Sequence, residues 1–257
     1  MADNRTDAPT VLITGAGQRI GRALALDFAA RGWQVAISYS TSQREAHGLA
    51  DEIEAAGGRA VAIKADLDDW DELSALVPAC QAQLAAPDCL INNASIFEHD
   101  DIESLDRQGW QRHLSVNLQA PVFLAQAFAA ALPEAATGNI INIVDQRVWR
   151  LTPRFFSYTI SKSGLWTATQ TLALALAPHI RVNAIGPGPT LPSPRQSDDA
   201  FERQRSATPL GRGPTVDEIC LATRFILDAP SMTGQMIALD GGQHLAWETP
   251  DILAAEE

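Results

Sequence analysis

From position 10 almost to the C-terminus, short apolar runs rich in β-branched residues alternate with longer stretches of helical pattern. The short runs predict strands near 10–14, 34–39, 60–64, 88–91, 138–144, 180–184 and 236–239. Most are apolar without interruption, as strands are when helices cover both faces of a sheet. The longer stretches predict helices near 20–31, 43–56, 70–84, 106–131, 156–177 and 215–228, punctuated by glycine, proline or small polar residues. Such alternation is the sequence form of repeated βαβ units. It predicts a single doubly wound α/β domain with a mainly parallel, seven-stranded sheet over 10–247, flanked by a polar tail at 1–9 and an acidic tail at 248–257. The proline- and glycine-rich stretch 186–214 breaks the pattern and predicts a mostly irregular loop that covers substrate.

The chain has 257 residues, enough for one substantial core. Its formal charge of -12, with no local basic patch, argues against nucleic acid and anionic membranes as partners. The three cysteines, Cys80, Cys89 and Cys220, lack paired spacing, and the five histidines form no ligand pair, so neither a disulfide framework nor a metal site is expected. The N-terminus lacks the layout of a secretory signal, and no uninterrupted apolar run reaches spanning length. A cytoplasmic protein acting on a small molecule is the expectation.

Candidate chemistry begins directly after the first strand. There Gly15-Ala16-Gly17-Gln18-Arg19-Ile20-Gly21 opens a helix, so glycines permit close backbone approach where helix-terminal N–H groups attract phosphate. The second strand ends in Ser40, Thr41 and Ser42 rather than an acidic residue, with Arg44 just behind. A carboxylate there would accept bonds from a ribose 2′-hydroxyl and repel a 2′-phosphate; hydroxyls and guanidiniums suit NADP(H) instead. Arg44 equally fits a solvated helix surface. Tyr158 and Lys162 lie four apart, on one face of a predicted helix, where an ammonium would lower the phenol's pKa from about 10 and make the pair a proton-transfer unit.

In order, the glycine turn, Asp66 after the third strand, Asn92-Asn93-Ala94 after the fourth, Tyr158-x-x-x-Lys162 and Pro187-Gly188 after the sixth resemble the short-chain dehydrogenase/reductase family over roughly 10–245. The resemblance implies a Rossmann-type fold and a nicotinamide cofactor held by Gly15, Arg19, Ile20, Gly21, Ser40, Thr41, Ser42, Arg44, Asp66, Leu67, Asn93, Ala94, Ser95, Tyr158, Lys162, Pro187, Gly188 and Thr190. It places Asp66 at the adenine edge and the Asn92–Ala94 turn in support of the sheet. It gives Lys162 to the nicotinamide ribose, Asn117 to a water-linked proton relay and Tyr158 to proton donation. It also implies a homotetramer built through the 106–131 and 156–177 helices.

Two positions depart from the general family pattern. Asp145 stands thirteen residues before Tyr158, where most members have serine, and Arg19 replaces a glycine of the turn. Both departures, with Ser95 and Phe97 after the Asn-Asn-Ala turn, resemble the narrower group of pteridine and dihydromonapterin reductases. That resemblance implies a pterin substrate stacked on Phe97, contacted by Arg19 and Ser95 and protonated through Tyr158 and Asp145. Burial would raise the Asp145 carboxyl from its reference near 3.9, and Lys162 and Arg19 would oppose that rise if close. Two alternatives remain: a reductase of a carbonyl such as a 3-ketoacyl group, and a catalytically idle NADP(H)-binding regulator. Asp100 and Asp101 could reach substrate or merely be solvated, and Trp149 and Arg150 could shape the pocket.

Overall fold

The computed structural model describes residues 8–193 and 196–246. The acidic tail 248–257 and most of the polar tail 1–9 lie outside the described residues. Seven strands form one sheet: β1 (Thr10–Ile13), β2 (Gln34–Tyr39), β3 (Arg59–Lys64), β4 (Cys89–Asn92), β5 (Gly138–Ile143), β6 (Ile180–Pro187) and β7 (Met236–Leu239). Every pairing is parallel, and the order is β3-β2-β1-β4-β5-β6-β7. Leu12 of β1 stands opposite Ala36 of β2 and Leu90 of β4, so this register carries one apolar row across the centre of the sheet.

Successive strand residues point to opposite faces, and both faces are covered, which is why the strands are apolar throughout. On one side Val11, Ile13, Val35, Ile37, Ile91 and Ile141 pack under α1 (Arg19–Ala30), α2 (Gln43–Ala55) and α8 (Val216–Asp228). On the other side Leu12, Ala36, Leu90, Ile140 and Val182 pack under α3 (Trp70–Gln83), α5 (Ala120–Ala131) and α6 (Phe156–Leu176). Asp69 caps α3 by accepting from the N–H groups of Asp71 and Glu72, and Thr215 with Glu218 forms a reciprocal capping box on α8.

Three expectations are corrected. The 106–131 helix is interrupted: α4 (Arg107–Leu114) passes through a π-helical turn at Ser115–Gln119 before α5. Pro121 has no N–H to return to the Asn117 carbonyl, so the regular ladder cannot run through this point. This run, Arg107–Ala131, is long and apolar enough to cross a membrane, yet Val116, Leu124 and Phe128 lie buried against the sheet. Next, β6 reaches Pro187 instead of stopping at 184, because Ile185, Gly186 and Pro187 continue the ladder with β7. Finally, 186–214 contains a helix, α7 (Asp198–Ser206), whose first turn is capped by Ser197. The glycines and prolines flank this helix and leave its own residues free of breakers.

Phe128 is fully buried, and its ring fills the space beside Gly138, where an added Cβ would stand 2.8 Å from it. Phe128→Ala should therefore destabilise the fold by about 3–5 kcal/mol in urea titration. A loss under about 1 kcal/mol would mean that the surrounding helices collapse into the hole.

Candidate functional site

The strand order reverses direction of winding between β1 and β4, so the loops leaving their C-terminal ends diverge and open a crevice. Hydrogen bonds pin this junction. The Asn93 side-chain amide donates to the carbonyls of Thr14 (2.9 Å) and Gly15 (3.1 Å), while the backbone N–H groups of Asn93 and Ala94 both donate to Thr14 Oγ1 at 3.0 Å. A Cβ on Gly21 would lie 2.7 Å from Ala16 Cα, Asn93 Nδ2 and the Gly15 carbonyl oxygen, so the turn closes only on a bare backbone. Arg19 has φ 56°, the left-handed region that a glycine would occupy without strain. At the start of α1 the N-cap Gln18 makes no side-chain capping bond and the first turn carries no acid. Its N–H groups are thus available to an anion.

Beyond this turn lies a cavity of about 670 Å³. Its lining brings together Gly15, Arg19, Ile20, Gly21, Ser40, Thr41, Ser42, Asp66, Leu67, Asn93, Ala94, Ser95, Phe97, Asp145, Tyr158, Lys162, Pro187, Gly188 and Thr190. Arg44 is not among them: its side chain is 93% exposed and pairs with Glu45 at 3.2 Å, pointing outward from the first turn of α2. Arg19 lines the cavity, but its guanidinium donates to the carbonyls of Pro192 (2.5 Å) and Leu191 (3.1 Å), tying the 186–214 segment down over the crevice. Asn117 stands behind the cavity wall. Buried in the π turn, it donates to the Ile96 carbonyl and Ser161 Oγ and accepts from the Ile96 N–H and Ser95 Oγ. It holds the 95–96 backbone and makes no direct bond to Lys162.

The proton-carrying groups meet at the end of β5. Tyr158 donates its hydroxyl hydrogen to Asp145 Oδ2 at 2.8 Å, and Asp145 Oδ1 accepts from the Arg147 N–H at 2.8 Å. Lys162, four residues along α6, donates to the Ile143 carbonyl at 2.7 Å. Burial raises the Asp145 carboxyl, against the Arg147 backbone bond and charge, the Tyr158 bond and the Lys162 charge. Arg19 takes no part in that balance. The expected lowering of the Tyr158 phenol is overturned: burial, then the Asp145 charge and hydrogen bond, pushes it well above its ordinary value. The ammonium of Lys162 is engaged by Ile143 and lies 5.9 Å from the centre of the tyrosine ring. Burial in turn lowers Lys162 to about 8, with Asp145 opposing. Asp145 and Tyr158 therefore hold a proton between them beside a lysine that can shed its charge, an arrangement able to deliver protons into the cavity.

Phe97 forms an aromatic wall, but not alone. It stacks on Phe155 with centroids 4.3 Å apart and planes within 8°, meets the edge of Tyr158 at 4.7 Å, and lies under the Arg147 guanidinium. Phe155 and Arg147 had no sequence signal; only the path of the chain after β5 brings them here. Asp100 is buried rather than solvated. Its carboxylate accepts from the Ser157 N–H and hydroxyl at the start of α6, and Ser157 Oγ is 2.8 Å from His113 Nδ1. His113 Nε2 accepts from the Glu98 N–H at 3.2 Å, so this histidine joins α4, α6 and the loop bearing Phe97. Asp101 instead caps a surface turn through Glu103 and Ser104. Trp149 packs edge-on against Trp166 and His244, and Arg150 donates to the Gln243 carbonyl, so neither lines the cavity.

Residues 9–203 match the family profile described as short chain dehydrogenase. Among solved structures, the chain superposes on FolM alternative dihydrofolate reductase 1 from Brucella canis, complexed with NADP. The two are 50% identical with a TM-score of 0.93, over 95% of this chain and 97% of that one. The Brucella suis protein of the same name, also in complex with NADP, is 51% identical with a TM-score of 0.92, over 95% and 98% of the two chains. Among curated sequences, a 3-oxoacyl-[acyl-carrier-protein] reductase of Synechocystis sp. is 30% identical over 239 residues, covering 91% of this chain and 96% of the relative.

The depressed Lys162 pKa makes a linkage prediction. Unfolded, the ammonium titrates near 10.5, and folded near 8, so between those values the unfolded chain binds more protons and stability gains with rising pH. Below about pH 8 the charge stays buried at full cost. Lys162→Met should remove this contribution, about 3 kcal/mol for a shift of this size, less what the lost bond to Ile143 costs. In urea melts the variant should gain on wild type most at pH 7, and the difference should shrink between pH 8 and 10.5. A pH-independent difference would show that Lys162 titrates alike in both states.

Proposed function

The chain belongs to the short-chain dehydrogenase family, and on that premise we propose that it is an NADPH-dependent reductase of the C=N bond of a pterin-like substrate. The observation that carries this reading is the Tyr158–Asp145 hydrogen bond at the cavity wall beside Phe97. A carboxyl whose pKa burial raises can give a proton to a ring nitrogen, which a serine hydroxyl at the same place would do far less readily. The extensive likeness to two proteins named alternative dihydrofolate reductase, each solved with NADP, supports it further.

The residues fit a dinucleotide. The uncapped N-terminus of α1 and the bare turn at Gly15, Ile20 and Gly21 receive the pyrophosphate. The hydroxyls of Ser40, Thr41 and Ser42 receive the 2′-phosphate, with no carboxylate closing β2 to repel it. Asp66 and Leu67 border the adenine, Asn93, Ala94 and Ser95 support the cofactor's middle, and Pro187, Gly188 and Thr190 flank the nicotinamide. Bound NADPH supplies the hydride. Lys162 orients the ribose, Phe97 presents a flat face to the heterocycle, and Ser95 offers it a hydroxyl. Protonated Asp145 gives its proton to the ring nitrogen and is left as a carboxylate, which the Tyr158 hydroxyl stabilises by donating a hydrogen bond while keeping its own hydrogen, and solvent at the open side of the cavity restores the Asp145 proton. Asn117 fixes the Ile96 backbone beneath this wall.

A carbonyl substrate is the second reading, favoured by the 3-oxoacyl reductase relative and by the fact that a tyrosine donor serves a ketone equally well. Dihydropterin and 3-ketoacyl substrates assayed side by side with NADPH separate the two. In the pterin case Tyr158→Phe should lose most turnover, at least about a hundredfold, while still binding NADPH. Asp145→Asn should impair pterin reduction and abolish the acidic limb of its pH–rate profile, and Asp145→Ser should hurt the pterin more than the ketone. Full pterin activity with an unchanged acidic limb in both Asp145 variants would remove the reason for preferring a pterin.

We further propose a homotetramer joined through α4, α5 and α6, a reading supported by the exposure of Phe123, Ile160 and Leu174 on these helices. Sedimentation should give four times the chain mass, and Leu174→Glu should shift it to smaller species. A monomer at micromolar concentration would overturn the assembly.

A further inference from the structure

Arg147 has the fewest partners of any charged group at the cavity wall. It follows Asp145 by two residues in the short 3₁₀ turn Gln146–Val148 and lines the cavity half-buried. Its guanidinium carbon lies 4.8 Å from the centre of the Phe155 ring and 5.5 Å from that of Phe97. Among the described residues its side chain donates to no acceptor and forms no ion pair; its hydrogen bonds are all made by its backbone, the N–H to Asp145 Oδ1 and the carbonyl from the Arg150 N–H. Unlike Arg19 and Arg150, whose guanidiniums donate to backbone carbonyls, this guanidinium is given neither a carbonyl nor a carboxylate among the described residues.

A guanidinium has five N–H donors in one plane. The Arg147 guanidinium lies on one side of the stacked Phe97–Phe155 pair, within cation–π distance of both rings, and its N–H groups remain without an acceptor, as the binding of a two-oxygen anion requires. The cofactor's 2′-phosphate is not that anion. Arg147 follows β5, whereas Ser40, Thr41 and Ser42 follow β2, and β1 and β4 lie between. Three strand spacings, about 14 Å of backbone separation, divide the two places. Arg147 stands instead beside Phe97, where the reacting molecule would stack.

We propose that Arg147 binds a carboxylate carried on the substrate's side chain, so that the enzyme favours a pterin with an anionic tail over one with a neutral tail. This rests on the pterin reading above. The cation–π stack holds the guanidinium in place before substrate arrives, so little side-chain freedom is lost when the carboxylate binds. Arg150 and Arg154 follow on the same segment without an intervening acid, and add to the positive potential that draws the tail toward this rim.

The test uses the full chain with NADPH and two probes, 7,8-dihydrofolate, whose tail ends in two carboxylates, and 7,8-dihydrobiopterin, whose tail is neutral. Wild type should show higher kcat/KM for dihydrofolate, falling as salt is raised, with little salt effect on dihydrobiopterin. Arg147→Gln should lower kcat/KM for dihydrofolate at least tenfold more than for dihydrobiopterin, chiefly through KM, and Arg147→Lys should restore part of the difference. Equal losses on both probes, or none, would overturn the proposal while leaving the pterin reading intact, because Arg147 would then act only on Asp145 or on packing. Turnover of neither probe by wild type would overturn the pterin reading and this proposal with it.

Discussion

The junction between β1 and β4 is the constraint from which the site follows. The two strands are neighbours in the sheet, but their following loops leave in opposite directions, and without a tie the crevice between them would have no fixed width. Thr14 and Asn93 supply that tie through four hydrogen bonds made where the sheet ladder has ended. Because those bonds draw the glycine turn against Ala94, side chains at Gly15 and Gly21 are excluded, and the start of α1 is left facing the cavity as bare backbone. A buried ladder from Asn92 through Asn142 to Thr169 then fixes α6 against β4 and β5, which sets where Tyr158 and Lys162 stand.

The chemistry at the other end of the cavity is governed by dehydration. Tyr158 and Lys162 are taken out of water and Asp145 is half-buried beside them, and burial drives each toward its neutral form. Their mutual charges only temper that drive. Tyrosine therefore stands as a hydroxyl donor to the carboxylate rather than as a phenolate beside a cation. The pairing of a carboxyl with a phenol at 2.8 Å also explains why Asp145 is more than a substituted serine: it changes which group is acceptor and which is donor before any substrate arrives. The network of Asp100, Ser157 and His113 sits immediately behind, joining the start of α6 to the loop of Phe97, so that the proton donor and the aromatic wall share one support.

Most of the architecture was legible from residue order. Uninterrupted apolar strands separated by helical stretches leave few arrangements besides a covered parallel sheet, and the strand at 34–39 and the one at 236–239 were placed to the residue. The misplaced features were local. A proline one position into α5 does not announce whether a helix will stop, kink or take a π turn, since packing on both sides decides among them. The helix within 186–214 was masked by the breakers at its ends. At the site, residues carried by a motif, such as Gly21, Asn93, Tyr158 and Lys162, were found at the cavity, whereas Phe155, Arg147 and His113 belong to no pattern and were invisible.

The sequence by itself determined the parallel α/β fold, the bare glycine turn, the absence of an acid after β2, and the presence of a carboxyl thirteen residues before a tyrosine, because these are matters of residue type and spacing along a chain of known periodicity. Tertiary structure decided the rest. Whether Arg44 faces the cavity or solvent depends on which way the first turn of α2 is rotated, and Arg19 met backbone carbonyls from residues more than 170 positions away. The direction of the Tyr158 shift depended on whether burial and Asp145 or the Lys162 ammonium dominated its surroundings. Charge interactions fall off over a few ångströms and burial is set by neighbours from several elements, so neither can be read from separation along the chain.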